Sequence, residues 1–209
     1  MKFLNLNKVL CISAHPDDVE YGVLGSMIKC GQTEFDVVVL SNGGDFDETT
    51  GNSRFEECRW IWNQLDGVNG TCLDFTCVRD SSEDFWVNHL ETNFDIKGYD
   101  AILSLSEYDS HFEHRKVNNI SKALLRGVDV GLITYRTPST LEQWIPNYYT
   151  ELRDELVESK IDVLRDGFSS QKNKLYFQRQ RLKDFHINYQ CSKVGVSYVE
   201  QFKVERLFG

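Results

Sequence analysis

Short apolar runs rich in β-branched residues alternate along the chain with longer stretches whose apolar positions recur every three or four residues. Residues 8–13, Lys-Val-Leu-Cys-Ile-Ser, are the first such run and read as a buried strand. The run stops at Ala14-His15-Pro16-Asp17-Asp18, and from Val19 to Cys30 the period turns helical, closed by Gly31. Phe35 to Ser41 is a second run, unbroken as strands buried on both faces tend to be. Further strands are predicted around 71–77, at 99–105 and at 130–135, with helices at 54–65, 114–125, 150–165 and 171–189. Strands alternating with helices build βαβ units on a mostly parallel sheet, an α/β fold with right-handed crossovers. Such sheets carry their sites beyond the carboxyl ends of the strands. Two histidine-bearing motifs fall there, after the first and fourth strands.

Composition narrows the setting. A length of 209 residues suits one domain spanning 1–209, and 41% hydrophobic with 12% aromatic residues supply its core. Asn5, Asn7 and Lys8 interrupt any leader-like apolar run at the N-terminus, and no stretch reaches the roughly 20 apolar residues that span a bilayer. A cytoplasmic protein without a transmembrane segment is the expectation. Cys11, Cys30, Cys58, Cys72, Cys77 and Cys191 show no framework spacing and are expected as reduced thiols. The net charge of −9 argues against nucleic acid as a partner. Residues 151–209 nevertheless hold 11 basic against 9 acidic residues, and Lys172, Lys174, Arg179, Arg181 and Lys183 follow one another with no acid between them. A solvated helix face is the expected reading. The sharper alternatives are a contact to an anionic substrate, or to a second copy of the chain in a homo-oligomer.

The chemistry is concentrated in two places. His15-Pro16-Asp17-Asp18 puts an imidazole and two carboxylates within four residues. His15 and Asp18 can face one point if the chain bends between them, and Pro16 stiffens such a bend. An imidazole nitrogen and a carboxylate oxygen suit Zn²⁺, and Fe²⁺ or Co²⁺ would fit the same ligands. Adjacent side chains diverge, so one aspartate can bind metal while the other stays free as a base. A helix N-cap would explain one aspartate but not the histidine beside it. In His111-Phe112-Glu113-His114, two histidines three apart at a helix start can face the same way. One would complete a three-ligand site with an open position, and the other would act as an acid or stabilise an oxyanion. The competing reading is a pair of surface histidines. His89 and His186 lie in loop and charged-helix contexts and are expected to do no chemistry. Trp60 and Trp62 are expected as core and helix-surface aromatics rather than a sugar platform.

Ala14-His15-Pro16-Asp17-Asp18-Val19-Glu20-Tyr21-Gly22, followed by Gly25 and Lys29, resembles the opening signature of the PIG-L or LmbE-like deacetylases. His111-x-x-His114 matches that family's second histidine motif, and Gly51-x-x-Arg54-x-x-Glu57 is similar to its arginine segment. Ser170-Gln171 and Tyr198-Val-Glu200-x-Phe202 echo its C-terminal patterns. The resemblance implies a Rossmann-like three-layer fold and zinc-dependent removal of an N-acetyl group from an amino sugar or its conjugate. It implies His15, Asp18 and His114 as metal ligands, Asp17 as the base that activates water, and His111 facing the oxyanion or the leaving amine. Arg54 would hold a substrate hydroxyl or anionic substituent, and its competing role is to pair with Asp45 or Asp47. Arg136, after the fifth strand, is a further candidate for the pocket wall. Phe112 and Glu113 depart from the Pro and Asp that the family carries between its histidines, and the loop 42–47 departs from its short acidic turn.

The mechanism expected on these residues has a metal and a protonated His111 sharing the oxyanion, with Asp17 taking the water's proton. The rival expectations are a metalloamidase acting on a non-sugar amide and a metal-binding protein without turnover.

Overall fold

A computed structural model describes residues 1–44 and 51–208, with the backbone alone at Gly51 and Asn52. The first strand, β1 (Lys8–Ser13), is buried from Val9 onward, as its apolar run requires. It pairs in parallel with β2 (Glu34–Val39) on one side and β4 (Ala101–Ser104) on the other. Helix α1 (Asp18–Lys29) crosses from β1 to β2, and α2 (Gly51–Trp62) leads from β2 to β3 (Val68–Cys72). Helix α3 (Glu83–Asn93) brings the chain back past β1 to β4, and α4 (Phe112–Leu124) continues to β5 (Gly131–Tyr135). The seven-stranded order is β3-β2-β1-β4-β5-β7-β6, where β6 is Tyr148–Leu152 and β7 is Tyr198–Arg206. The chain leaves β1 in both directions, so the switch point of this α/β sheet lies between β1 and β4.

Helices α1 and α2 pack against α5 (Asp154–Gly167), and α3 packs against α4, giving a helical layer on each side of a mostly parallel sheet. Phe3, Phe35, Tyr135 and Phe202 are fully buried within one contiguous core. The six thiols are unpaired, and burial pushes those of Cys11 and Cys58 well above the ordinary range, leaving them inert. Among the described residues no helix is long and apolar enough to cross a membrane.

Four expectations shift. The third strand is 68–72 rather than 71–77: it is an edge strand, polar and exposed at Asn69, Gly70 and Thr71, with Gly70 leaving room for the Trp62 ring. Helix α3 went unpredicted because only Trp86, Val87 and Leu90 are buried, a stripe too narrow to give a clear period. Its start is set by Ser82, whose Oγ accepts from the Phe85 N–H at 3.1 Å. The stretch from Tyr148, read as helical from 150, first forms β6, and β7 was also unpredicted; β7 runs antiparallel to both its neighbours. Finally, 171–189 is not one helix. It contains a 3₁₀ turn at Leu175–Phe177, then α6 (Arg179–Phe185) and the start of α7 (Tyr189–Ser192). Phe177 is fully buried there, and its carbonyl accepts from Arg165 Nη1 at 2.7 Å.

Candidate active site

The turn between β1 and α1 is made by a strained residue. Asp17 has φ 107°, in the left-handed region that costs a non-glycine residue on the order of 1–3 kcal/mol. Arg54, reaching over from α2, holds the turn. Its Nη2 donates to the Pro16 carbonyl at 2.6 Å and to Asp17 Oδ2 at 3.2 Å, and its Nη1 lies 3.4 Å from the Gly43 carbonyl. Gly43 itself has φ +65°, and a Cβ there would stand 2.2 Å from Arg54 Nη1. The turn closes with the His15 N–H donating to Asp18 Oδ2 at 2.9 Å.

The second motif arrives from the loop after β4. His111 is the N-cap of α4, and its Nδ1 accepts from the Glu113 N–H at 3.3 Å. His114 sits one turn into the helix and is 4% exposed. The rings of His15, His111 and His114 come together, with centroids 4.7 Å apart for His15–His111 and 4.6 Å for His111–His114. Each of these three histidines offers a ligand nitrogen, all within 4.8 Å of one another. Asp18 joins them, 3.2 Å from His114 Nε2 and 3.5 Å from His15 Nδ1.

The outer nitrogens are held from behind. His15 Nε2 meets Glu113 Oε2 at 2.6 Å, and Glu113 Oε1 accepts from the Arg79 N–H at 2.8 Å. His114 Nδ1 lies 3.2 Å from both Asp109 Oδ2 and Ser139 Oγ. Asp109 also accepts from the His111 N–H at 2.8 Å and from the Thr137 hydroxyl at 3.0 Å. These partners orient both rings and leave His15 Nδ1 and His114 Nε2 facing Asp18 as acceptors for a cation. Two imidazoles and a carboxylate, buried and fixed from outside, fit a divalent ion of the zinc type.

Electrostatics separate the two aspartates. Burial pushes the Asp17 carboxyl up to about 6, against the pull of Arg54. Burial acts on Asp18 in the same sense, but the imidazoles of His114 and His15 outweigh it and hold Asp18 well below the usual carboxylate range. Adjacent carboxyls pushed apart in this way are suited to different tasks. Burial also lowers His111, helped by the charges of His114 and His15. With Nδ1 accepting from the Glu113 N–H, Nε2 is the ring nitrogen that carries the proton in the neutral imidazole.

These groups line a cavity of about 360 Å³ together with Tyr21, Pro138, Lys174 and Tyr176. Its walls come from the carboxyl ends of β1, β2, β4 and β5, and from the segment after α5. Arg136 is not on that wall. Its Nη1 donates to the Phe185 carbonyl at 3.0 Å and its guanidinium stacks on the Phe185 ring, so it docks α6 onto the sheet. Of the basic run, Lys174 reaches the cavity, whereas Arg179 and Lys183 pair with Glu158 on α5. The loop beyond Gly44, with the pairing of Arg54 to Asp45 or Asp47, lies outside the described residues. His89 stacks on Phe85, and His186 is fully buried with Nδ1 on the Leu182 carbonyl; neither lines the cavity. Trp62 is the core aromatic, its Nε1 donating to Glu20, and Trp60 is the exposed one, the reverse of the expected order. Sequence reading missed Asp109, Ser139 and Tyr176. Asp109 stood in view, two residues before His111, but a lone aspartate in a loop carries no period.

Fold and site define a class: an α/β protein with a histidine–carboxylate centre at the switch point of its sheet. No family profile matches the chain. An Escherichia coli K12 protein named as an uncharacterised deacetylase, YaiS, is 25% identical over 173 residues, 75% of this chain and 88% of that one. The N,N′-diacetylchitobiose deacetylase of Pyrococcus horikoshii superposes with a TM-score of 0.76 at 20% identity, covering 98% of this chain and 85% of its own. GalB, a 4-carboxy-2-hydroxymuconate hydratase of Pseudomonas putida KT2440, superposes at 0.78 with 15% identity, over 100% and 98%. The chain thus resembles the PIG-L and LmbE-like deacetylases in fold as well as in motif.

Proposed function

We propose that this protein is a metal-dependent N-deacetylase that hydrolyses the acetamido group of an amino sugar or its conjugate. The observation that carries the reading is the pairing of two unlike aspartates. Asp18 is locked between two oriented histidines, while its neighbour Asp17 is raised to about 6 and lines the same cavity. A binding site needs the first arrangement and has no use for the second. The deacetylase names of YaiS and of the chitobiose enzyme support the reaction class, and the second supports a sugar substrate. The same fold in a hydratase means that the fold alone does not select the reaction.

His15, Asp18 and His114 would hold the cation, with Zn²⁺ fitting the donor set. When bound, it supplies a Lewis acid that makes water a nucleophile near neutral pH and polarises the amide carbonyl. Asp17 takes the proton of the attacking water at its carboxylate, and Arg54 keeps that carboxylate in place. His111, neutral, donates from Nε2 to the oxygen on which charge develops. The C–N bond then breaks, Asp17 returns its proton to the departing nitrogen, and the products are acetate and a free amine. Single replacement by Asp17→Asn or His111→Gln is expected to lower kcat by about 10²–10⁴-fold with the fold intact. Both variants turning over at near wild-type rate would end this assignment.

A further inference from the structure

The C-terminal strand and the His15–Asp18 motif lie far apart in the sequence, yet one carboxylate joins β7 to the helix that the motif begins. Glu200 on β7 is buried and reaches into the middle of α1. Its Oε1 accepts from the Gly25 N–H at 2.7 Å and its Oε2 from the Ser26 N–H at 2.6 Å. Lys160 on α5 completes the arrangement, donating to Glu200 Oε1 and to the Tyr21 carbonyl, both at 2.6 Å. Tyr21 and Gly25 are four residues apart, the spacing at which a helix bonds its own carbonyl to its own N–H. Here each of those groups has a charged partner from another element. The side chains of Lys160 and Glu200 are both 0% exposed.

Such a pair is not a natural source of stability. Desolvating two charges costs several kcal/mol per ion, and well-packed apolar residues of similar volume often serve a core as well or better. What this pair does is fix position. It grips α1 one turn after Asp18, at a helix that begins on the strained Asp17. Gly25 makes room for it, since a Cβ there would lie 2.9 Å from Glu200 Oε1. The gripped residue Tyr21 lines the cavity, and its hydroxyl donates at 2.9 Å to the carbonyl of Tyr176, another lining residue.

We infer that Lys160 and Glu200 are positioning residues, a buried ion pair inserted into the hydrogen-bond ladder of α1 that sets where Asp17, Asp18 and Tyr21 stand. The catalytic consequence rests on the function proposed above; the positional one does not. The test uses the full chain with Glu200→Gln, Glu200→Asp, and Lys160→Met combined with Glu200→Gln, each followed by amide hydrogen exchange over 14–24 and over β1 and β4. The double variant leaves no unpaired buried charge, and Glu200→Asp keeps the charge while withdrawing the carboxylate by one methylene. Exchange over 14–24 is expected to rise at least tenfold in every variant that folds while the two strands keep wild-type protection. With an N-acetyl amino sugar as substrate, kcat should fall at least tenfold and KM stay within about twofold. Exchange that rises equally in helix and strands, or does not rise at all, would overturn the inference. A wild-type chain that releases no amine would count against the proposed function and leave the exchange result to decide this one.

Discussion

Asp17 carries two demands at once, a left-handed backbone and a carboxyl held near neutrality, and Arg54 answers both. The guanidinium binds the Pro16 carbonyl that precedes the strained residue and the carboxylate that follows from it. Burial raises Asp17 and Arg54 is the largest influence opposing it. Removing Arg54 therefore leaves the carboxyl higher, and the base is lost at a higher pH as the solution is acidified. The acid limb of kcat/KM in Arg54→Met is expected to move to higher pH than in wild type, read from a pH–rate profile. A limb that stays in place while KM alone rises would return Arg54 to holding substrate, the role the motif suggested. Asp109 makes a comparable case, since it fixes His114 through Nδ1 and His111 through its N–H. Asp109→Asn is expected to weaken metal binding by roughly 10–100-fold, measured by competition with a chromophoric chelator. Unchanged affinity would mean Ser139 alone orients the ring.

At the scale of elements, the turns that end β1 and β4 matter more than the elements they join. Both histidine motifs were legible because their residue types are dense and sit after continuous apolar runs. Glu113 was legible only as a departure from a pattern, and the structure sets its carboxylate 2.6 Å from His15 Nε2. The last two strands were hidden for a different reason. Residues 148–152 and 198–206 mix aromatic and charged side chains, since β6 is an edge strand and β7 is only partly covered. Their identity is settled by pairing with each other and with β5, which no local period records. Gly25 shows the same dependence on distant contacts. Gly25→Ala would gain helix propensity in isolation, but the added methyl meets Glu200 and both Leu152 methyl groups at 2.9 Å. A net loss of about 1–3 kcal/mol is expected from denaturant unfolding, and a gain would show that the carboxylate can yield.

For the molecule as a whole, the C-terminal third works as a brace on the N-terminal site. Glu57 on α2 accepts from the Ser170 N–H and hydroxyl at 2.8 and 2.6 Å, which joins the arginine segment to the Ser170-Gln171 pattern. His186 belongs to the same brace. Burial, reinforced by the Lys160 cation, holds its imidazole well below the ordinary value. The folded chain keeps it neutral, while the unfolded chain takes up a proton below about 6.5. Its contribution is therefore intact above that pH and lost as pH falls, by up to about 1.4 kcal/mol per unit. Between pH 7.5 and 5.5, His186→Leu should lose less stability than wild type in denaturant titrations; parallel losses would place the acid sensitivity elsewhere.

Under the proposed function, a cation and Asp17 together cleave an acetamide in this cavity. The measurement that meets it most directly is amine release from N-acetylglucosamine and a series of its conjugates. Metal-replete, chelator-treated and Asp17→Asn protein would be run side by side. Release is expected from at least one conjugate by the replete wild type, with its loss under chelator, its recovery on adding Zn²⁺, and little release from Asp17→Asn at any metal level. Release that persists through chelation, or that Asp17→Asn sustains at the wild-type rate, would contradict the proposed function.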